Sequence, residues 1–400
     1  MDPISQIISF NSGRDPERLA IKYRKMRTSV FAFLRGSCDL FYNRLPLASL
    51  PKNSPLVWVC GDLHMENFGS YKGDNRLVYF DVNDFDEAAL APASWDLIRF
   101  LTSICVGTDG IATTVDEIEA LCSCFLSNYY AALAAGKAYW VERETAQGPV
   151  RTLLDRLKDR TRVGFLNART EVHGRRRIIL VDGSKALAAS PRQHKQIVEF
   201  MSSFALSQAN PDFFKVLDVA KRVAGTGSLG LDRYVVLVKG KGSPDGNYLL
   251  DLKLSTPSSL LPYLKVKQPK WQSQADRVVA LQQRCQAVPM AFSRAVLVGD
   301  NPYVLRGLQP AEDRVTISSD KRSIAELRQL LASMGKVTAW MHLRSSGRQG
   351  SAIADDLIAW GKKTKWQQKM TNAALACAVQ VRADAHAFNA AYDGGLFGRR

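Results

Sequence analysis

The chain has 400 residues, 46% apolar and 23% charged, with a net charge of +16. This is enough for two lobes or a few small domains, and too hydrophobic for a disordered chain. No stretch is long and apolar enough to span a bilayer, and the first residues lack a secretory pattern. Seven scattered cysteines with no CxxC pair indicate neither a disulfide framework nor a zinc site, and suggest a reducing cytoplasm.

Residues 16–48 have apolar positions at helical spacing (Leu19, Tyr23, Met26, Val30, Phe33, Leu34) until Pro46 and Pro51 interrupt it. Residues 56–59 read as a short strand that delivers Gly61 and Asp62 into a loop. A turn at 72–75 leads into a second strand at 77–82. Ser94 is the expected N-cap of a helix running to Ile104. Further helices are expected within 115–145 and over 192–208.

Between these, residues 151–190 carry ten Lys and Arg against four acids. Arg175, Arg176 and Arg177 stand out as candidate contacts for a polyanion. Residues 223–231, 234–239 and 248–254 read as β, with a hairpin turn at 241–247. A helix at 271–287 and strands at 295–298 and 303–308 follow. From Ser323 the chain is helical, broken at 345–351. A β-rich block inside a helical chain predicts an α+β, bilobal protein. The expected segments are 1–55 (N-terminal helices), 56–150 (part of a large helical lobe), 151–210 (basic connector), 211–310 (small β-rich lobe) and 311–400 (helices completing the large lobe).

The chemistry concentrates between Cys60 and Ile98. Asp62, in a loop after a buried strand, is placed to orient a hydroxyl or accept its proton. Asn67 offers an uncharged oxygen to Mg²⁺, which takes few protein ligands. Asp81, Asp84 and Asp86 form an acidic cluster suited to a metal on nucleotide phosphates. Asp84 and Asp86 share a side if the strand continues. His64 is a supporting residue. Asp96, at the head of an apolar helix, is expected to receive backbone N–H groups from the loop, with Arg99 pairing to it along the helix. Far downstream, Gly225, Gly227, Ser228 and Gly230 form a glycine-rich loop able to present N–H groups to phosphates. Lys253 lies on a following strand and could reach the same phosphates. A Rossmann site is disfavoured, because β structure rather than a helix follows Gly230.

These residues resemble a known group. GDLHMEN, the D-x-D acids and Trp95-Asp96-Leu97 look like the aminoglycoside phosphotransferase and choline kinase branch of the protein-kinase-like superfamily. FAFLRG, GDLHMENFG, NDFDEA and WDLIRF together are similar to the uncharacterised bacterial family called domain of unknown function 2252. The resemblance implies a kinase-like fold that uses ATP and Mg²⁺. It makes Asp62 the catalytic-loop Asp, Asn67 and Asp84 the metal ligands, the glycine loop the nucleotide cradle and Lys253 the strand lysine. Asp84 is preferred over Asp81 because it stands twelve positions before Asp96.

Two departures matter. The catalytic loop precedes the glycine loop, which implies a circular permutation with the small lobe inserted. The helix after Lys253 lacks the expected Glu, so Asp276 or Asp251 would have to pair with the lysine, or the pair is absent. The leading expectation is therefore a phosphotransferase acting on a small hydroxylated substrate. AMP transfer on the same architecture, and a degenerate module binding nucleic acid or another polyanion, are the alternatives. In the first reading Lys253 and Asp84 must face one cleft.

Overall fold

The structure is a computed structural model and describes residues 2–109, 111–112, 114–174, 176–309, 313–317 and 323–397. It is an α+β protein with about 48% helix and 17% strand, built as a sheet lobe against a helical body.

The sheet lobe has six antiparallel strands. In spatial order they are Ser293–Val298, Asn301–Gly307, Tyr248–Leu254, Arg233–Val238, Val216–Arg222 and Ala186–Ala188. The sheet thus draws its last strand from the basic 151–210 segment. Side chains alternate across a strand, so the two faces differ in chemistry. One face presents Val219, Val236, Leu250, Leu252 and Leu305 to Ile197, Met201 and Ala205 of the helix Pro191–Leu206. A capping box between Ser190 and Gln193 starts that helix. The opposite face carries Arg233, Asp251, Lys253 and Arg306 in register, with Arg233 opposite Lys253 and Asp251 opposite Arg306.

The helical body is organised by long helices. Val115–Ala135 lies against Ile324–Arg344, and Ala93–Gly107 against Trp366–Asp393. Their buried faces join Phe100, Phe125, Leu126, Tyr129, Met334, Met341 and Phe388 into the main core. Thr114 with Glu117, and Ser323 with Glu326, form capping boxes at two of these helix starts. A short antiparallel pair, Leu56–Val59 with Ala89–Pro92, and a three-stranded sheet, the hairpin Phe68–Lys72/Val78–Val82 with Val141–Glu142, sit on this body.

Three local expectations are corrected. The helix expected to start at Ser94 starts at Ala93, capped by Pro92; Ser94 lies in its first turn and donates its N–H to Ser54 Oγ. Residues 223–231 are not a strand, because strand pairing ends at Arg222 and the glycines that follow turn the chain. The Asp81 strand stops at Val82, so Asp84 and Asp86 lie beyond it in a loop and are not placed by β alternation. Among the described residues no helix is long and apolar enough to cross a membrane.

Candidate functional site

One polar pocket between the sheet lobe and the helical body is lined from widely separated parts of the chain. Asp62, His64, Asn67, Asp84, Asp86, Gly225, Gly227 and Ser228 all reach it. So do Arg14, Arg35, Glu87 and Arg314, which had not been singled out in the sequence.

The loop after Leu56–Val59 is held from behind. Asp96 is fully buried and accepts the N–H groups of Cys60 and Gly61, both at 3.0 Å. His342 lies 3.4 Å from the same carboxylate and is itself bonded to the Tyr129 hydroxyl at 2.8 Å. Gly61 adopts φ +83°, and a Cβ there would run into the Glu87 carbonyl, so only glycine makes this turn.

Arg99 does not pair with Asp96. Its Nε and Nη2 donate to Asp62 Oδ1 at 3.0 and 2.6 Å, and its Nη2 also donates to the Leu34 carbonyl. The N–H groups of the loop occupy Asp96, which leaves the guanidinium to fix Asp62. The other oxygen, Asp62 Oδ2, faces His64 Nε2 at 4.0 Å. His64 Nδ1 accepts the N–H of Glu66, so the ring proton sits on Nε2, toward Asp62. Burial, reinforced by the positive charges of Arg35, Arg99 and Arg314, holds the His64 pKa well below its usual value and keeps the ring neutral.

Asn67 is 3% exposed. Its amide nitrogen donates to the carbonyls of Asp62 (3.1 Å) and Asp84 (3.3 Å), which fixes the side chain. Among the described residues its buried amide oxygen meets no donor. An uncharged oxygen left in this state beside an ionised carboxylate suits a hard cation. Burial pushes the Asp84 carboxyl up, but Lys253, Arg314, Arg306 and Arg233 outweigh it and hold the group well below the usual carboxylate range. Among the described residues no three His, Cys, Asp or Glu side chains group as a metal centre. One amide oxygen and one carboxylate are donors that would fit Mg²⁺ completed by water and phosphate.

The three acids of the cluster part company. Asp81 is 1% exposed and turned away from the pocket. Arg344 Nη2 donates to it at 2.8 Å and the Ala287 N–H at 3.1 Å. Asp84 and Asp86 instead meet Lys253, which is 4% exposed; its Nζ bonds Asp86 and lies 4.0 Å from Asp84.

Neither acid weighed as the partner of Lys253 takes that role. Asp276 accepts from Ser273 at the start of its helix. Asp251, fully buried, is surrounded by Arg222 (2.7 Å), Arg233 (2.6 Å) and Arg306 (3.3 Å). The helix Gln274–Cys285 contributes a cation to the site where an acid was expected. Arg277 donates to the carbonyls of Asp86, Ala88 and Thr256, pinning the acidic loop.

The glycine loop is clamped by the N-terminal helices. Gly227 O accepts from Lys22 Nζ and Arg14 Nη1, both at 2.9 Å, and Leu229 O from Arg14 at 3.2 Å. Lys22 is fully buried and also donates to Asn11 Oδ1. Gly227 passes close to Asp62. Gly230, at φ +93°, packs on Arg14 and Leu19 rather than facing the pocket. Arg14 lies in the bend between the helices Pro3–Phe10 and Pro16–Met26 and Lys22 within the second, and no local signal ties either to a loop two hundred residues away.

Of the arginine triplet, Arg175 lies outside the described residues. Arg176 is exposed. Arg177 is 2% exposed and spent on Pro244 O, Asn167, Thr170 and Asp245, so it is not free to meet a polyanion.

A family described as an uncharacterized protein conserved in bacteria (DUF2252) matches residues 14–391, and the chain belongs to it. No curated protein and no solved structure matches the chain.

Proposed function

We propose that the protein is an ATP- and Mg²⁺-dependent phosphotransferase acting on a hydroxyl of a small acceptor. The observation that carries this reading is the meeting of Asp62, Asn67, Asp84 and the glycine loop at one pocket, with Lys253 just outside its lining, bonded to Asp86 and 4.0 Å from Asp84 although 169 positions separate the two. The order of parts in the sheet lobe adds support. Strand, glycine loop, strand, lysine strand, helix and two more strands follow one another within Val216–Gly307, as the kinase-like resemblance expects. The catalytic loop comes earlier in the chain, in keeping with a permuted form of that fold.

Asp62 is the group placed to take a proton. Arg99 holds one carboxylate oxygen, so the other is presented in a fixed orientation. In the proposed step the acceptor hydroxyl gives its proton to Asp62 Oδ2 as its oxygen bonds the γ-phosphorus. The bond from that phosphorus to the bridging oxygen breaks, and ADP leaves. Mg²⁺, held by Asn67 and Asp84, would neutralise charge on the phosphate oxygens. Lys253, Arg314 and the loop N–H groups add fixed positive potential on the same side. Neutral His64 directs an N–H toward Asp62 without adding charge.

Lys253 is engaged by Asp86 in place of a helix carboxylate, and this one observation favours the second reading, a non-catalytic polyanion module. A thermal-shift titration with ATP, with and without Mg²⁺, separates the two on wild type and Asp84→Asn. The phosphotransferase reading expects a Mg²⁺-dependent rise in wild type that the variant loses. A rise independent of Mg²⁺ and equal in both proteins would overturn it.

A further inference from the structure

A second cleft lies apart from the pocket just described. It has a volume of about 590 Å³ and runs between the hairpin Phe68–Lys72/Val78–Val82, the helix Arg162–Asn167 and the sheet edge at Tyr248 and Phe292. Its wall is aromatic: Phe165, Phe213, Tyr248 and Phe292 are all half-buried. Phe213 packs on Tyr248 with ring centroids 4.9 Å apart, and the Arg162 guanidinium lies 4.1 Å over the Tyr248 ring. This ring therefore already takes a flat π partner.

The rim is cationic. Lys72, Arg76, Arg162 and Lys241 are exposed around the cleft, and among the described residues no carboxylate forms an ion pair with any of them. One acid, Asp313, lines it and is held by Arg160 at 2.6 Å. Exposed cations around apolar rings attract an anion with a flat body.

Asn247, 1% exposed, braces the wall by giving its N–H groups to Lys239 O and Ser243 Oγ. Arg76 (φ 73°) and Phe292 (φ 56°), both in this cleft, hold backbone conformations that side chains rarely adopt. The walls are tied across the two lobes by Ala291 N to Lys72 O (2.8 Å), Asp74 N to Pro289 O (2.9 Å) and Tyr71 Oη to Val288 O (2.8 Å). The cleft is thus pre-formed.

We propose that this cleft binds a nucleobase with its phosphate, as a unit of single-stranded nucleic acid. The base stacks on the aromatic wall, and the phosphates meet Lys72, Arg76 and Lys241. The proposal does not depend on the phosphotransferase reading.

The test is fluorescence anisotropy with a labelled single-stranded oligouridine of about ten nucleotides, a length typical of such sites. EDTA is present, so that the metal-dependent pocket does not contribute. Wild type should bind with an affinity that falls steeply with salt. The rim variant Arg76→Glu/Lys241→Glu should lose about tenfold or more. Phe213→Leu should lose about fivefold or more at unchanged melting temperature. A duplex of equal length should bind more weakly. Displacement of the oligouridine by UMP would show that a free mononucleotide meets the same chemistry, and would support the cleft as its site. No binding, binding indifferent to the rim variant, or equal binding of the duplex would overturn the proposal. The exposed rim pair keeps the test decisive should Phe213→Leu fail to fold.

Discussion

Asp81 and Asp84 stand three positions apart in one acidic run, yet they belong to different regions. Asp81 ends a strand inside the helical body, where Arg344 and the Ala287 N–H meet it. Asp84 lies beyond the strand, in a loop open to the pocket, with Lys253 at 4.0 Å. The two carboxylates also titrate in opposite senses. Burial raises the Asp81 pKa despite Arg344. At Asp84 burial acts in the same direction, but four cations overcome it. The same residue type in the same run thus serves the fold at one point and lines the pocket at the next. What differs is the number of positive charges that tertiary packing brings near.

The sharpest way to break this contrast is at Asp81. Asp81→Ala takes the carboxylate from half-buried Arg344 and from the Ala287 N–H, and should cost about 3 kcal/mol of stability. Urea unfolding measures this, and below its midpoint the variant should still bind ATP–Mg²⁺. Equal loss of binding and stability would merge the two regions.

On the cleft side, Lys253→Ala should weaken ATP by about 1.5–3 kcal/mol, tenfold to a hundredfold, by losing a charged hydrogen bond to phosphate. Calorimetric titration reads the affinity, and circular dichroism should show the fold retained. Unchanged affinity would remove Lys253 from the site.

The glycine loop repeats the contrast on a smaller scale. Gly230→Ala forces a side chain to φ +93° and against Arg14, so about 1–3 kcal/mol of stability should be lost. Gly227 has ordinary φ, and a Cβ there would meet the Arg35 carbonyl at 3.3 Å, beside Asp62 Oδ2 at 3.9 Å. Gly227→Ala should cost roughly 1 kcal/mol in ATP affinity, about fivefold, with little change in melting. If both variants lose only stability, the loop serves the fold alone.

The smallest effect concerns pH. The folded pKa of His64 lies below its ordinary 6.5, so the unfolded chain binds the extra proton first. Its contribution is intact above 6.5 and is lost as pH falls below that value. Melting temperatures recorded between about pH 5 and pH 8 should fall less steeply on the acid side for His64→Gln than for wild type. Parallel curves would exclude His64 as a source of that slope.

Much of the fold could be read directly. The strand at Leu56–Val59, the hairpin turns at 72–75 and 241–247, the helix within 271–287 and the helix after Ser323 follow from alternation, turn residues and apolar spacing. The anchoring of the loop by Asp96 was also legible, because an acid at the head of an apolar helix has few other partners. The partner of Arg99 was not. Helical spacing allowed Asp96, but the backbone N–H groups of residues 60 and 61 already occupy it, and this competition exists only in three dimensions. The strand expected at 223–231 failed for a related reason. Apolar residues flank the glycines, but no neighbouring strand is available to pair with them beyond Arg222.

The α+β class and the family rest on local pattern and composition and are legible along the chain. Which charges meet is settled by tertiary packing. It set Asp86 rather than a helix acid against Lys253, brought Arg277 to the backbone of the acidic loop, and clamped the glycine loop with Arg14 and Lys22. Ion pairing depends on distance and burial, and neither is encoded in the spacing of residues along the chain.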